Sequence, residues 1–193
     1  MAVRTFVALE LPEAIAGGIL GLVSQLRDSG IRASWCRRGT LHLTLKFLGD
    51  VEEEHLPGVV DAVAAASAGG SPFAFATGAL GAFPSPRNPR VLWLGVEAVD
   101  GLYVLHKAVE DQLAAIGMPR DRRRFHPHIT LGRVRGRAPE DTGRLLAAMQ
   151  APEGTVPVTE VWVMRSTLNP GGAVHEVIAA VPLGGEREDS RET

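Results

Sequence analysis

Two short segments of the sequence place a histidine two residues before a threonine. They are His42-Leu-Thr-Leu and His128-Ile-Thr-Leu, and they lie 86 residues apart. In an extended strand, residues i and i+2 point to the same face, so each segment would present an imidazole beside a hydroxyl. An imidazole changes its charge near neutral pH. One histidine can therefore take a proton from water while the other gives a proton to a leaving oxygen, which is chemistry suited to phosphodiester cleavage.

The residues around the two histidines fit the same chemistry. The hydroxyls of Thr44 and Thr130 can donate hydrogen bonds to phosphate oxygens, and Arg133 can offset negative charge in the transition state. Such a site needs neither a metal ion to activate water nor a serine or cysteine nucleophile. The other face of each strand is expected to enter the core, and it carries Leu43, Leu45, Ile129 and Leu131.

A shift of the sequence by 86 residues superimposes more than the two histidine segments. The predicted strand at Arg4 falls on the one at Arg90, and the helical pattern over 15–26 falls on 101–112. Several elements of matching type at one offset indicate an internal duplication. The strand at Val174 also falls on the strand at Arg90, and from this match we expect the two copies to interleave.

Hydrophobic periodicity divides the chain into helices and strands. The helical segments are 11–28, 52–67, 100–116 and 139–149. The strand segments are 4–10, 31–36, 41–48, 72–83, 90–96, 127–134, 155–165 and 174–181. Asp100 is the expected N-cap of the third helix, and residues 84–89 are expected to form a loop.

These elements predict an α+β fold. We expect two lobes related by a pseudo-twofold axis, with antiparallel sheets around a central cleft and helices on the outside. A single two-lobed domain is expected over residues 1–185, followed by a polar C-terminal tail at 186–193.

The composition limits the environment of the protein. Of 193 residues, 45 % are hydrophobic, which is enough to bury a core, and the net charge is −2. A single cysteine, Cys36, allows neither an intramolecular disulfide nor a cysteine-based zinc site. No apolar run approaches the roughly 20 residues of a membrane span. We expect a cytoplasmic monomer with no membrane partner, no metal and no cofactor.

The paired motifs belong to a longer set of segments that extends from residue 4 to about residue 181. The segments are Arg4-Thr-Phe-Val-Ala-Leu-Glu-Leu-Pro12, Trp35, His42-Leu-Thr-Leu-Lys-Phe-Leu-Gly49, Phe83-Pro84, Arg90-Val-Leu-Trp93, Phe125-His-Pro-His-Ile-Thr-Leu-Gly-Arg133 and Ser166. With them the chain resembles bacterial and archaeal proteins of the 2′-5′ RNA ligase or RNA 2′,3′-cyclic phosphodiesterase type, within the 2H phosphoesterase superfamily.

The resemblance implies hydrolysis of a 2′,3′-cyclic phosphate to a 2′-phosphate, with the 3′ oxygen leaving. RNA ends or cyclic nucleotides would be the substrates. It implies His42 as the proton donor and His128 as the proton acceptor that acts on water, with Thr44, Thr130 and Arg133 at phosphate-binding positions. The two motifs are nearly symmetric, so the residues alone do not divide the two roles.

Near its last strand the family often has a Tyr-Glu pair, where this chain has His175-Glu176, and substrate contacts there stay open. ATP-driven ligation has no visible motif, so ligation is expected only as a weak reversal of phosphodiester transfer. Two alternative functions are a metal-dependent phosphohydrolase and a non-catalytic RNA-binding module. The first lacks a His-Glu-x-x-His motif, and the second has no use for two symmetric His-Thr pairs.

Other residues admit two interpretations each. His126 would line the rim of the cleft or act structurally, and Trp35 and Trp93 would pack in the core or stack on bases. His55 and His106 are expected on helix surfaces. The segment Arg120–Arg124 would grip an RNA backbone or form a solvated loop.

Overall fold

A computed structural model of the chain describes residues 1–97, 99–169 and 172–184, which contain nine strands and four α-helices. The predicted tail at 186–193 lies outside the described residues. The strands are β1 (Ala2–Leu9), β2 (Ala33–Trp35), β3 (Leu43–Glu52), β4 (Phe73–Ser85), β5 (Asn88–Val96), β6 (His128–Val134), β7 (Thr155–Val158), β8 (Glu160–Asn169) and β9 (Gly172–Pro182). The helices are α1 (Glu13–Asp28), α2 (Leu56–Ala68), α3 (Asp100–Ala115) and α4 (Thr142–Ala148).

The nine described strands form one sheet, which joins the antiparallel sheets of the two predicted lobes. Its order is β7-β4-β5-β6-β3-β1-β8-β9, and β2 pairs with β6 outside this path. All of the pairings are antiparallel. We call β3, β1, β8 and β9 the first lobe, and β6, β5, β4 and β7 the second lobe.

The strand order is symmetric about the boundary between β3 and β6. Under the shift of 86 residues β3 corresponds to β6, β1 to β5 and β4 to β8, and the members of each pair lie equally far from the boundary. Two interleaved copies would produce this order. β9 lies at the outer edge opposite β7, so its sequence match to β5 does not reflect an equivalent place in the sheet.

The helices cover one face of the sheet. One large cluster of buried apolar side chains unites all four helices with the strand residues that alternate toward them. It includes Leu43, Leu45, Ile129 and Leu131, as the alternation predicts. Phe6, Ala8 and Met164 form a separate small cluster on the opposite face of β1 and β8. Successive strand residues point to opposite faces, so His42 and Thr44 share the face that the helices leave open.

A β-bulge interrupts each histidine strand at an equivalent residue. The β1–β3 ladder passes over Leu45, because Ala8 faces Thr44 and Val7 faces Lys46. The β5–β6 ladder passes over the equivalent residue, Leu131. A bulge changes which face the following residues occupy.

One predicted helix start and one predicted N-cap were wrong. The helix expected from residue 52 starts at Leu56, because Glu52 pairs with Ala2 in the β1–β3 ladder and a short 3-10 turn, Glu53–His55, follows. Asp100 is the first helical residue of α3, and Val99 occupies the N-cap position. The last helix is also shorter than predicted, since α4 covers Thr142–Ala148.

Two predicted strand boundaries were also wrong. The expected loop at 84–89 is mostly strand, because Pro84 faces Pro89 and Ser85 faces Asn88 in the β4–β5 ladder. The expected single strand at 155–165 is divided at Thr159. The division has a topological reason: β7 pairs with β4 in the second lobe, whereas β8 pairs with β1 in the first.

Candidate active site

The two histidines meet where the lobes join. β3 and β6 pair through one bridge, in which Leu43 faces Ile129. By the same antiparallel register, His42 lies on the side of Thr130, and Thr44 lies on the side of His128. The two histidines are therefore diagonal neighbours across the ladder, and such neighbours are about 7–8 Å apart. The bridge therefore brings both imidazoles and both hydroxyls to the centre of the open face.

Backbone carbonyls fix the same tautomer in both imidazoles. Nδ1 of His42 lies 3.0 Å from the carbonyl oxygen of Thr40, and Nδ1 of His128 lies 2.7 Å from that of His126. A carbonyl oxygen only accepts hydrogen bonds, so Nδ1 carries the proton in each ring. Nε2 of each histidine is then the atom available for proton transfer. The two carbonyl partners are themselves equivalent under the shift of 86 residues.

His42 lies in an aromatic pocket of the first lobe. Its ring centroid is 4.7 Å from that of Phe6 and 5.3 Å from that of His175, and Phe6 also contacts His175. Burial is the main cause that lowers the pKa of His42 to about 4; the charges of His175 and His128 act in the same direction, and the hydrogen bond to the carbonyl of Thr40 acts against them. His42 is therefore neutral at pH 7 in the empty site.

His128 lies in a different aromatic pocket in the second lobe. Its ring centroid is 5.0 Å from that of Phe83 and 6.3 Å from those of Trp93 and His126. Burial is the main cause that lowers the pKa of His128, and the charges of His126 and Arg133 act in the same direction. A neutral His128 suits the acceptance of a proton from water.

The two predicted threonines differ in their contacts. Oγ1 of Thr44 lies 3.0 Å from Nε2 of His42. Because Nδ1 carries the proton, the neutral ring accepts this hydrogen bond from the hydroxyl at Nε2. Thr130 lies opposite Trp93 in the β5–β6 ladder, and the part of the chain that is described shows no equivalent bond from its hydroxyl to His128.

Arg133 reaches the open face because of the bulge. It lies opposite Val91 in the β5–β6 ladder, and Trp93, two residues further along β5, lies opposite Thr130. Facing residues in a ladder share a side of the sheet, so Arg133 and Thr130 lie on the same side. The equivalent position in the first lobe is Phe47, which is 48 % exposed and has the guanidinium of Arg4 4.6 Å from its ring centroid.

The sequence did not predict that the rings of Phe6 and Phe83 would contact the two histidines. For Trp93 it left core packing as an alternative to base stacking. The indole of Trp93 lies against Gly81, where an added Cβ would meet the ring at 2.2 Å. Gly81, in the neighbouring strand, was the only local indication that the large ring of Trp93 lies over that strand. His175 was noted only as a departure from the family pattern, although its ring contacts His42.

The remaining candidate residues either support His42 and His128 or lie away from them. His126 supplies its carbonyl to His128, and Trp35 packs against the main core. His55 is exposed in the 3-10 turn, whereas His106 is half-buried and stacks on Phe125.

Of the arginines at 120–124, Arg120 pairs with Asp111 at 2.7 Å. Arg122, Arg123 and Arg124 are exposed.

Neither a metal cluster nor a membrane helix is found in the described ranges. Among residues 1–97, 99–169 and 172–184, no three His, Cys, Asp or Glu side chains are grouped so that they could hold a metal ion. No helix within these same ranges has the length and apolar character needed to cross a membrane.

Comparison with known proteins identifies relatives over most of the chain. A family model described as the 2′-5′ RNA ligase superfamily matches residues 12–170. The RNA 2′,3′-cyclic phosphodiesterase of Thermotoga maritima is 31 % identical over 175 residues, which are 91 % of this chain and 92 % of that protein. The protein of the same name from Methanothermobacter thermautotrophicus is 33 % identical over 177 residues, 91 % of this chain and 96 % of that one.

Solved structures share the fold. TT0787 of Thermus thermophilus has a TM-score of 0.79 and 28 % identity, and the match covers 95 % of this chain and all (100 %) of that one. LigT of E. coli, in a crystal structure with 3′-AMP, has a TM-score of 0.76 and 25 % identity, with 96 % and 100 % coverage. These likenesses confirm the predicted α+β fold and the resemblance drawn from the motifs.

Proposed function

Since the chain belongs to the 2′-5′ RNA ligase superfamily, we propose that it hydrolyses RNA 2′,3′-cyclic phosphate ends to 2′-phosphates through His42 and His128. The observation that carries this proposal is the bridge between Leu43 and Ile129, which places two imidazoles of the same tautomer at one cleft. Relatives that cover nine-tenths of the chain bear the name of this activity.

The reaction needs one proton acceptor and one proton donor. Nε2 of His128 takes a proton from water as the water oxygen forms a bond to phosphorus. The bond from phosphorus to the 3′ oxygen breaks, and that oxygen receives the proton from Nε2 of His42. General acid–base catalysis of this kind contributes about 10²- to 10⁴-fold per group. The product keeps its phosphate on the 2′ oxygen.

His42 must acquire its proton together with the substrate. Its pKa of about 4 leaves it neutral in the empty cleft at pH 7. A cyclic phosphate diester carries one negative charge, and a nearby opposite charge favours the protonated imidazole and raises its pKa. The hydroxyl of Thr44 can then turn from Nε2 of His42 to a phosphate oxygen.

The other predicted site residues have supporting roles in this proposal. Thr130 donates a hydrogen bond to the second non-bridging phosphate oxygen. Arg133, on the same side of the sheet, offsets the charge that grows on these oxygens in the transition state. Ligation would be the weak reversal of phosphodiester transfer. A cytoplasmic setting also belongs to this proposal, because a chain with a single cysteine forms no intramolecular disulfide and needs no oxidising compartment.

Phosphorus NMR of the product tests the proposal. Adenosine 2′,3′-cyclic phosphate is incubated with the enzyme in excess chelator, and we expect adenosine 2′-phosphate as the product. A 3′-phosphate product would contradict the assignment of the leaving oxygen. Loss of turnover in chelator, restored by a divalent metal, would favour the metal-dependent alternative. RNA affinity without any turnover would favour the binding module.

A further inference from the structure

An open groove lies at the end of the second lobe that is remote from the histidines. It is formed by Arg87 in the β4–β5 turn, by Arg90 near the start of β5, and by Gly136, Arg137 and Glu140 in the segment after β6. Its volume is about 470 Å³, within the range of roughly 300–1,000 Å³ that is typical of ligand sites. The groove is therefore large enough to accept part of a polymeric ligand.

The groove carries an excess of positive charge. Arg137 pairs with Glu140 at 2.9 Å, in an exposed contact. Arg87 and Arg90 are exposed, and the described part of the chain shows no ion pair for either of them. Exposed guanidinium groups bind phosphates in bidentate geometry.

Three arginines follow His128 at alternate positions, between the cleft and the groove. β6 begins at His128, carries Arg133 on the cleft side, and is followed by Arg135 and Arg137. Nε of Arg135 donates a hydrogen bond to Oγ of Ser34 at 2.7 Å, which holds this side chain on the neighbouring strand β2. The length of β6 alone separates the groove from His128 by roughly 20 Å, at about 3.3 Å per residue.

The equivalent end of the first lobe has the opposite charge. The positions that correspond to the segment after β6 hold Asp50, Glu52, Glu53 and Glu54. Two cations lie among these four carboxylates and offset only part of their charge: the amino group of Met1 lies 3.5 Å from Glu52 and 4.0 Å from Glu53, and Arg4 faces Asp50 in the β1–β3 ladder. An anionic strand that leaves the cleft is thus repelled by the first lobe and attracted by the second.

We propose that the groove of Arg87, Arg90 and Arg137 binds the phosphodiester backbone of a single-stranded RNA whose cyclic phosphate end lies between His42 and His128. This inference rests on the proposed function and extends it. It assigns oligonucleotide ends, rather than free cyclic mononucleotides, as the preferred substrate, because a mononucleotide in the cleft cannot reach the groove.

The experiment compares kcat/KM for a mononucleotide 2′,3′-cyclic phosphate with that for an RNA octamer ending in the same group. At low salt the octamer should be favoured at least tenfold. The double variant Arg87→Glu/Arg137→Glu should remove this advantage and keep the mononucleotide value within twofold. The salt dependence of octamer binding should fall by about 0.7 in logarithmic slope for each phosphate group that the variant no longer binds.

A matched control carries the same change of charge elsewhere. Arg122→Glu/Arg123→Glu alters two exposed arginines of the 120–124 segment and should keep the octamer advantage. If this control loses the advantage and the groove variant keeps it, the inference is overturned. Equal kcat/KM for both substrates in the wild-type enzyme also overturns it.

A binding measurement distinguishes failure of this inference from failure of the proposed function. Fluorescence anisotropy with a labelled octamer, in the His42→Ala background, measures the affinity for RNA in the absence of turnover. A tenfold or greater loss of affinity on adding the groove substitutions supports the groove even if the wild-type enzyme hydrolyses neither substrate. Unchanged affinity overturns the proposal that the groove binds RNA, whatever the result for hydrolysis.

Discussion

The two lobes agree in the residues that we propose to contact the phosphate of the substrate. Each supplies a histidine at the start of a central strand, a threonine two residues later, and a carbonyl two residues earlier that orients the imidazole. Each strand also has its bulge at the equivalent leucine. In the proposed reaction, one structural unit that is used twice would thus supply both the proton donor and the proton acceptor.

The lobes differ immediately beyond these residues. Lys46 in the first lobe corresponds to Gly132 in the second, and Phe47 corresponds to Arg133. Lys46 is buried and its Nζ contacts both Glu110, at 2.5 Å, and the carbonyl of Pro119. Gly132 instead makes room for the ring of Trp35. The two histidine segments are therefore alike in sequence and in the orientation of the imidazole, whereas the packing and charge beyond them differ.

Breaking the ion pair of Lys46 should produce the largest effect on stability. Lys46→Met would leave Glu110, 6 % exposed, without its cationic partner. Removal of one member of a buried pair costs about 3–5 kcal/mol. Urea denaturation should show this loss. The double variant Lys46→Met/Glu110→Leu should recover most of it, and a single variant within about 1 kcal/mol of wild type would show that the pair is not what holds α3 to β3.

The pH dependence of stability should show that the buried His42 destabilises the folded protein at acidic pH. Its pKa rises from about 4 in the folded state to 6.5 on unfolding. The unfolded chain therefore binds more protons as the pH falls from 6.5 to 4, and the fold loses up to about 3 kcal/mol at this residue. His42→Gln should flatten the unfolding curve in this window, and the exposed His55→Gln should not. Parallel curves for wild type and His42→Gln would contradict the burial of this imidazole.

Gly132→Ala tests the packing at the equivalent position of the second lobe. The new Cβ would lie 2.7 Å from Cε3 of Trp35 and 3.2 Å from the carbonyl oxygen of Ser34. Overpacking of this kind costs about 1–3 kcal/mol. Thermal unfolding should reveal the loss. Gly58→Ala on α2, where an added Cβ meets no neighbour, serves as the control, and equal stabilities for the two variants would count against the tight contact.

The smallest expected effect concerns the threonines. The hydroxyl of Thr44 stabilises neutral His42, so Thr44→Val should raise the pKa of His42 by about half a unit, as the loss of one hydrogen bond implies. Thr130→Val should leave the pKa of His128 unchanged. NMR titration of the imidazole resonances measures both values, and equal shifts in the two lobes would show that the hydrogen-bonding difference does not exist in solution.

Local patterns predicted two equivalent His-Thr strands, which the structure brings together, because the four residues lie in one short segment of each copy. The alternation in β3 and β6 fixed which side chains enter the core, and the constant offset indicated symmetric strands. The boundaries that failed depend on distant partners. Glu52 extends β3 because Ala2 pairs with it, and Thr159 divides two strands because they belong to different lobes.

Contacts between segments far apart in the chain could not be predicted either. The ring of His175 meets His42 only because β9 reaches the cleft through β8 and β1. Glu110 on α3 meets Lys46 through a helix–sheet contact that no local pattern records. The bulges at Leu45 and Leu131 leave no mark in the hydrophobic alternation, although the one at Leu131 places Arg133 on the cleft side.

A double-variant cycle of the two histidines tests the central claim most directly. Hydrolysis of a nucleoside 2′,3′-cyclic phosphate is measured in chelator for wild type, His42→Ala, His128→Ala and the double variant. Each single variant should lose about 10²- to 10⁴-fold in kcat. The double variant should lose little more, because both groups act in one step. Full activity in either single variant, or losses that multiply in the double variant, would contradict the account.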